Sequence, residues 1–379
     1  MTRFLAAAVL VLGGCSGEVP APRSAPAPPG TPESPGPPSD LRLPPSDPIS
    51  EAGRTVFLPH RGAPFDAATE NGVWCATFSL AWDALGHEVL KEPPLLGPPA
   101  PQEFVRGMNA HPFPREALDP GACIVAAGTK AGGILDRIRA EGNSKFGRVL
   151  PRREIDLPTP GSILAYAFLR KDLPFEHPFE TIMDGIPFRG SAEPVRAFGI
   201  EEGSENLLLA DIVSQVEILF DEGEGDGREF GLKIRTREGT DDLVLARVVP
   251  GADIGATWKA VAGRSRDTGR TLPPEAILGI PKVNFDLDHE YAEIAGAPVL
   301  NPGFDGTFVA TAWQSVLFRM DETGLVLESE ACMELEEVIG VETTPVYLFD
   351  RPFLIALIEK DAKEPYFLAW IANTDLMPK

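Results

Sequence analysis

From Ile163 to the C-terminus the apolar residues stop recurring at helical spacing and fall into short runs that suit strands. Residues 163–169 are a mostly apolar run, the pattern of a strand buried within a sheet. Residues 187–198 read as a strand pair turned at Gly190-Ser191. Residues 214–220 and 229–234 flank an acidic, glycine-rich link, which predicts a hairpin, and 243–249 follow as another strand. The last hundred residues add strand-like stretches at 280–285, 316–320, 349–355 and 365–371. Helical periodicity comes earlier. Trp74, Phe78, Ala81, Trp82 and Leu85 share helical spacing, so residues 71–85 are expected to form a buried helix. Residues 133–141 are expected to form a short amphipathic helix ended by Gly142-Asn143. Helices first and strands later predict an α+β fold, helices packed on large mixed or antiparallel β-sheets.

The N-terminus has another character. Met1-Thr2-Arg3-Phe4 leads into an apolar run to Leu12 and then Gly13-Gly14-Cys15, a secretion signal too short to span a bilayer as a mature helix. Leu12-Gly13-Gly14-Cys15 resembles the bacterial lipobox. The resemblance implies a signal peptide over 1–14 and lipidation of Cys15, with Ser16 rather than Asp after it favouring the outer membrane. Residues 15–49 are rich in Pro, Ala, Ser and Gly and lack the apolar surface to offset the entropy of ordering, which predicts an extended tether. Residues 50–379 are then expected to form a single domain.

A formal charge of −22 argues against binding nucleic acid or anionic membrane surfaces, both of which need clustered Lys and Arg. Membrane attachment is expected only through the lipid. Of four cysteines, a lipidated Cys15 leaves Cys75, Cys123 and Cys332, enough for at most one internal disulfide. The sequence has no CxxC, HExxH or Cys/His cluster, and no metal or other cofactor is expected. Residues 74–79, Trp-Cys-Ala-Thr-Phe-Ser, superficially resemble the nucleophile helix of papain-like proteases. A cysteine nucleophile needs a partner histidine, and none of the five histidines stands in such a motif, so Cys75 reads as an inert buried thiol. Residues 221–227 lack the alternating ligands of a calcium loop and read as a solvated hairpin tip. Asp286 and Asp288 beside His289 fit a strand end better than a metal site.

The order of the C-terminal motifs resembles the serpins. These motifs are Ile280-Pro281-Lys282-Val283-Asn284-Phe285, then Val316-Leu317-Phe318-Arg319-Met320-Asp321-Glu322-Thr323-Gly324, then Phe349-Asp350-Arg351-Pro352-Phe353 and Tyr366-Phe367-Leu368-Ala369-Trp370. Asn71 and the apolar spacing after it are similar to that family's buried helix. Residues 134–150 are similar to its helix lying across the main sheet, residues 163–168 to the next central strand, and 302–306 to the turn before its hinge strand. The resemblance implies a serpin-like fold with an exposed reactive-loop-like segment, a protein that is not an enzyme, and a serine protease as partner.

Further site residues come from the same resemblance. The hinge falls on Glu322, Gly324, Leu325 and Leu327, and counting from Gly324 puts the scissile bond near Val338-Ile339. Serpin hinges favour small residues, so Leu325 and Leu327 are expected to overpack the sheet and slow insertion of the loop, each misfit costing about 1–3 kcal/mol. Yet Leu325, Leu327, Ser329 and Ala331 alternate with Val326, Glu328 and Glu330, the pattern of a strand with one buried face. The sequence leaves open whether the segment inserts slowly or already lies in a sheet. Gln314 stands near the position of the family's buried His, and Leu164 or Ala165 near its Asn partner, so the polar latch of the sheet is expected to be missing. Two functions follow: a protease inhibitor or protease-sensitive binding protein acting through residues 325–344, with covalent trapping doubtful, or a non-inhibitory scaffold lipoprotein.

Overall fold

The computed structural model describes residues 48–147, 150, 155–265, 269–326 and 345–378. The chain opens with strands β1 (Thr55–Phe57) and β2 (Asn71–Cys75), then helix α1 (Ala76–Ala84), which runs into one π-helical turn over Leu85–Leu90, and helix α2 (Gln102–Ala110). Strand β3 (Cys123–Thr129), helix α3 (Ile134–Phe146) and strands β4 (Ile163–Leu169), β5 (Asp172–Pro174), β6 (Glu180–Ile186) and β7 (Val195–Ile200) follow. Helix α4 (Leu209–Ser214) leads to strands β8 (Val216–Glu222), β9 (Glu229–Arg235) and β10 (Asp241–Arg247), then helix α5 (Ile254–Arg264). The remainder is strand: β11 (Ile277–Pro281), β12 (Val283–Glu290), β13 (Trp313–Asp321), β14 (Gly324–Val326), β15 (Val346–Leu348), β16 (Phe353–Glu359) and β17 (Phe367–Ile371).

Three sheets carry the fold. Seven strands run in the order β1-β2-β17-β16-β10-β9-β8, four in the order β15-β11-β7-β6, and four in the order β12-β13-β14-β5, while β3 and β4 form a separate pair. Most neighbours are antiparallel; β1 with β2 and β11 with β15 are parallel. The architecture is α+β with large mixed and antiparallel sheets. One core joins the sheets. Phe318 of β13 stacks on Phe367 of β17 with ring centroids 4.7 Å apart, so the four-stranded and seven-stranded sheets meet through their apolar faces.

Several expected boundaries move, each for a physical reason. Residues 71–75 are the strand β2 rather than the start of a helix, because Val73 and its neighbours pair with β1 and β17 and leave no free backbone groups for a helix. Trp74 is fully buried there, so its helical spacing to Phe78 is incidental. Asn71 closes this edge. Its side-chain amide donates to Asn373 Oδ1 at 2.9 Å, and its oxygen accepts from the N–H groups of Ala372 and Asn373 at 2.8 and 3.1 Å. Helix α3 runs through Gly142-Asn143 to Phe146 and ends at Gly147, whose φ of +62° supplies the left-handed C-cap. The strand pair expected over 187–198 is instead β6 with β7, and Pro187 to Pro194 form the connection, since proline lacks the N–H a ladder requires. β4 covers the expected residues, but its one partner strand is β3, so its other long edge faces no strand among the described residues.

Candidate functional site: the hinge strand and its slot

β13 alternates cleanly, with Gln314, Val316, Phe318 and Met320 buried and the residues between them half exposed. It turns at Glu322-Thr323 into β14. Asp321 fixes the turn: its Oδ1 accepts from the Thr323 N–H at 2.9 Å and the Thr323 hydroxyl at 2.7 Å, and Oδ2 accepts from Arg319 Nε at 2.5 Å. Lys282 Nζ pairs with the Glu322 carboxylate at 2.6 Å. The turn is also sutured to the chain leaving β5, because the N–H groups of Phe175 and Phe179 donate to the carbonyls of Thr323 and Glu322 at 3.1 and 2.8 Å.

β14 lies between β13 and β5 and pairs antiparallel with both, Leu325 opposite Met320 on one side and Leu173 on the other. Residues 324–326, expected as the start of a hinge, therefore already form a central strand. Gly324 has φ +142°, and a Cβ built on it would stand 2.5 Å from Pro174 Cα and 2.6 Å from the Leu173 carbonyl oxygen, so only glycine fits. Leu325 does not overpack. Its side chain is 2 % exposed within the main core beside Met320 and Leu173, so the sheet holds a cavity of leucine size at this point. Leu327, Val338, Ile339 and Cys332, like Cys15, lie outside the described residues.

β13 pairs with β14 only through Arg319–Asp321, so its residues 313–318 have β12 on one side and no strand on the other among those described. β4, which continues into β5, likewise pairs only with β3. Helix α1 packs beneath both β4 and β13. Ala165, Ala167 and Leu169 of β4 contact the same core as Leu173 and Leu325.

The latch between Gln314 and β4 is absent among the described residues, as expected, but Gln314 is not without partners. Gln314 makes no bond to β4; its amide donates to the Thr77 hydroxyl at 2.9 Å and the Cys75 carbonyl at 3.1 Å, and its oxygen accepts from the buried Tyr291 hydroxyl at 3.0 Å. The sequence pointed to Gln314, but its partners sit far along the chain, so their pairing was not legible. Gln314→Leu is expected to orphan the Tyr291 hydroxyl and lower stability by about 1–3 kcal/mol in urea denaturation, with Gln314→Glu unable to restore both donated bonds.

A buried ionic network beside β5 was invisible in the sequence. Lys171, just before β5, is 9 % exposed, and its Nζ reaches Asp241 Oδ1 at 2.8 Å and Glu359 Oε1 at 2.6 Å. The Tyr366 hydroxyl donates to the same Asp241 oxygen at 3.0 Å. This network ties the slot's β5 side to β10 and β16 of the seven-stranded sheet. Burial pushes the Lys171 pKa down, and the two carboxylates outweigh it, leaving it raised.

Cys75 is fully enclosed at the β2–α1 junction. Burial raises its pKa, and its sulfur accepts a weak bond from Thr77 Oγ1 at 3.7 Å, so the thiol is protonated and no histidine contacts it among the described residues. Cys75 and Cys123 are both free thiols. Asp221 is not merely solvated: it accepts two bonds from Arg228 and one from Tyr347. His289, within β12, stacks on Phe57 at 5.2 Å, an aromatic role in the core's edge.

A second histidine, His60, carries a pH dependence. It is 7 % exposed, stacks on His111 with centroids 5.0 Å apart, and has an Nδ1 with no hydrogen-bond partner. Burial, then the neighbouring His111, lowers its pKa to about 4, against a smaller upward pull from Asp253. A base with a depressed folded pKa resists protonation that the unfolded chain accepts. Stability is therefore full above the unfolded value near 6.5 and falls as pH drops toward 4, by up to about 3 kcal/mol. Urea midpoints at pH 7 and pH 4.5 measure this, and an NMR titration of His60 assigns it.

No protein-family model matches this chain, and no curated protein matches it. Solved structures do. The chain is similar to thyroxine-binding globulin in complex with thyroxine at 14% identity and a TM-score of 0.38, covering 64% of this chain and 65% of that one, slightly under two thirds. It is similar to Serpin48 of the insect Tenebrio molitor at 8% identity and a TM-score of 0.40, covering 79% and 96%. A serpin from Schistosoma mansoni matches at 12% identity and a TM-score of 0.37, covering 63% and 64%.

Proposed function

We propose that this chain is a serpin-like, non-enzymatic envelope protein that meets a serine protease through residues 325–344, with the hinge beginning at Gly324 entering the sheet between β13 and β4–β5. The observation that carries this reading is the position of β14, paired on both edges while the strands flanking it further along each have an edge that faces no strand among the described residues. Continuing the register of β14 sets Leu327 opposite Phe318 and Lys171, Ser329 opposite Val316 and Leu169, and Ala331 opposite Gln314 and Ala167. Each of these would fall on the buried face that Leu325 already occupies. Strand addition of this kind makes a cleaved form more stable than the intact one.

In this reading Cys15 carries the lipid that holds the protein to the membrane, residues 15–49 form its tether, and residues 50–379 act as one domain. The thiol of Cys75 takes no part. Treating the full chain with elastase-like and subtilisin-like proteases tests the proposal. An SDS-stable complex marks trapping. Cleavage near Val338 with a large rise in melting temperature marks insertion without trapping. Cleavage at that place with an unchanged melting temperature leaves the non-inhibitory scaffold as the better account.

A further inference from the structure

Five arginines drawn from separate parts of the sequence line one cleft of about 570 Å³: Arg54, Arg189, Arg228, Arg247 and Arg351. They gather at the end of the seven-stranded sheet where β9 and β16 begin and β10 and β17 finish. The chain's formal charge is −22, yet Glu229 is the one carboxylate among the described residues lining this cleft, and it is already paired with Arg264.

Two of the guanidinium groups have a carboxylate each, two share one, and the fifth has none among the described residues. Arg228 makes two bonds to Asp221, at 2.7 and 2.8 Å, and Arg54 pairs with Asp375 at 3.2 Å. Arg247 and Arg351 share a single oxygen of Asp350 at 2.9 and 3.1 Å. The Arg247 pKa is lowered, first by burial, with Arg351 and Arg228 pushing the same way against Asp350. Arg189 stands on the β6–β7 connection with its backbone fixed, its N–H donating to the Asp350 carbonyl at 2.7 Å. Its exposed side chain makes no hydrogen bond or ion pair among the described residues. A second hollow beside the first is lined by Arg189, Gly190 and Arg351 as well.

We propose that this cleft is a binding site for a small tetrahedral oxyanion group, a phosphate or sulfate monoester. Planar guanidinium forks match such tetrahedral groups with paired, charge-assisted bonds. The cleft's volume suits a ligand of sugar-ester size. The acidic surface elsewhere opposes a long polyanion, which would have to cross it. The site also bears on the chain that follows residue 344. Arg228 and Arg247 donate to the carbonyls of Val346 and Leu348 at 2.7 and 3.2 Å and so hold β15.

Isothermal titration of the full chain at low ionic strength with inorganic pyrophosphate, glucose 6-phosphate and glucose 6-sulfate tests this. One saturable site is expected, and the tighter of the two esters identifies the source of the anion. Arg189→Ala removes an exposed side chain without touching the core and is expected to weaken binding about tenfold; Arg189→Glu is expected to weaken it further. Arg106→Ala, on the exposed face of α2, is expected to bind as the unaltered chain does. Absence of a saturable heat at millimolar pyrophosphate, or binding by the Arg189→Ala and Arg189→Glu proteins equal to that of the unaltered chain, overturns the proposal. Neither result depends on whether a protease is inhibited.

Discussion

A Gly324→Val protein is expected to lose β14 from the four-stranded sheet. The backbone there has φ +142°, a region that β-branched residues avoid, and the new Cβ would meet Pro174 Cα at 2.5 Å. This contact and those with the Leu173 oxygen and the Phe175 nitrogen are all with backbone, so no side chain can turn aside to relieve them. Either β5 moves, breaking its pairing with β14 and the bonds from Phe175 and Phe179 to the turn, or β14 is expelled and Leu325 leaves the core. The expected cost is about 3 kcal/mol or more in urea denaturation, above the usual range for a surface turn. Proteolysis provides a second readout: cleavage on the N-terminal side of residue 327 should become faster. Thr323→Val, one residue earlier, removes only the hydroxyl bond to Asp321 and should cost about 1 kcal/mol.

Replacing Lys171 by Met is expected to be comparably damaging. Asp241 is 1 % exposed, and without the ammonium its charge keeps only the hydroxyl of Tyr366 and that of Thr240. Removing one partner of a buried pair costs about 3–5 kcal/mol. The sign of the pH dependence separates this from simple loss of packing. The folded pKa of Lys171 is raised, so its contribution is complete below the unfolded value near 10.5 and disappears as pH climbs through the folded value. Tyr366, its hydroxyl pKa raised first by burial and then by Asp241, adds loss in the same alkaline window. The unaltered chain should therefore lose stability progressively as pH rises above the unfolded values of 10.0 and 10.5, and the Lys171→Met protein less so. A Lys171→Met/Asp241→Asn double variant should recover part of the loss, because no buried charge is then left alone.

Much of the fold was legible because its signals are local. β4 was read at its true bounds from a single apolar run, and the β8–β9 hairpin from two runs around a glycine-rich link. Local pattern misled where long-range pairing decided the outcome. Residues 71–75 carry aromatic and apolar side chains at helical spacing, yet β17, some three hundred positions away, claims their backbone. The segment after β13 was readable in part: alternation around Leu325 marked a strand with one buried face, whereas the φ that makes Gly324 necessary came only with the structure. The tolerance of the sheet for Leu325 was not readable, since it depends on the space between Met320 and Leu173. Nor was the Lys171 network, or the assembly of five arginines in one cleft, because each joins residues from unconnected stretches. Charges scattered along a strongly acidic chain give no sign of where they converge.

The central claim is that β13 and β4, each with an edge that faces no strand among the described residues, accept the chain after β14 between them. Amide hydrogen exchange across residues 313–318 and 163–169, measured before and after proteolysis within 327–344, tests it most directly. If the slot fills in the register of β14, alternate amides on β13 and on β4 should become strongly protected after cleavage, together. If protection on both strands is the same before and after the cut, the slot does not accept the segment and the account is wrong.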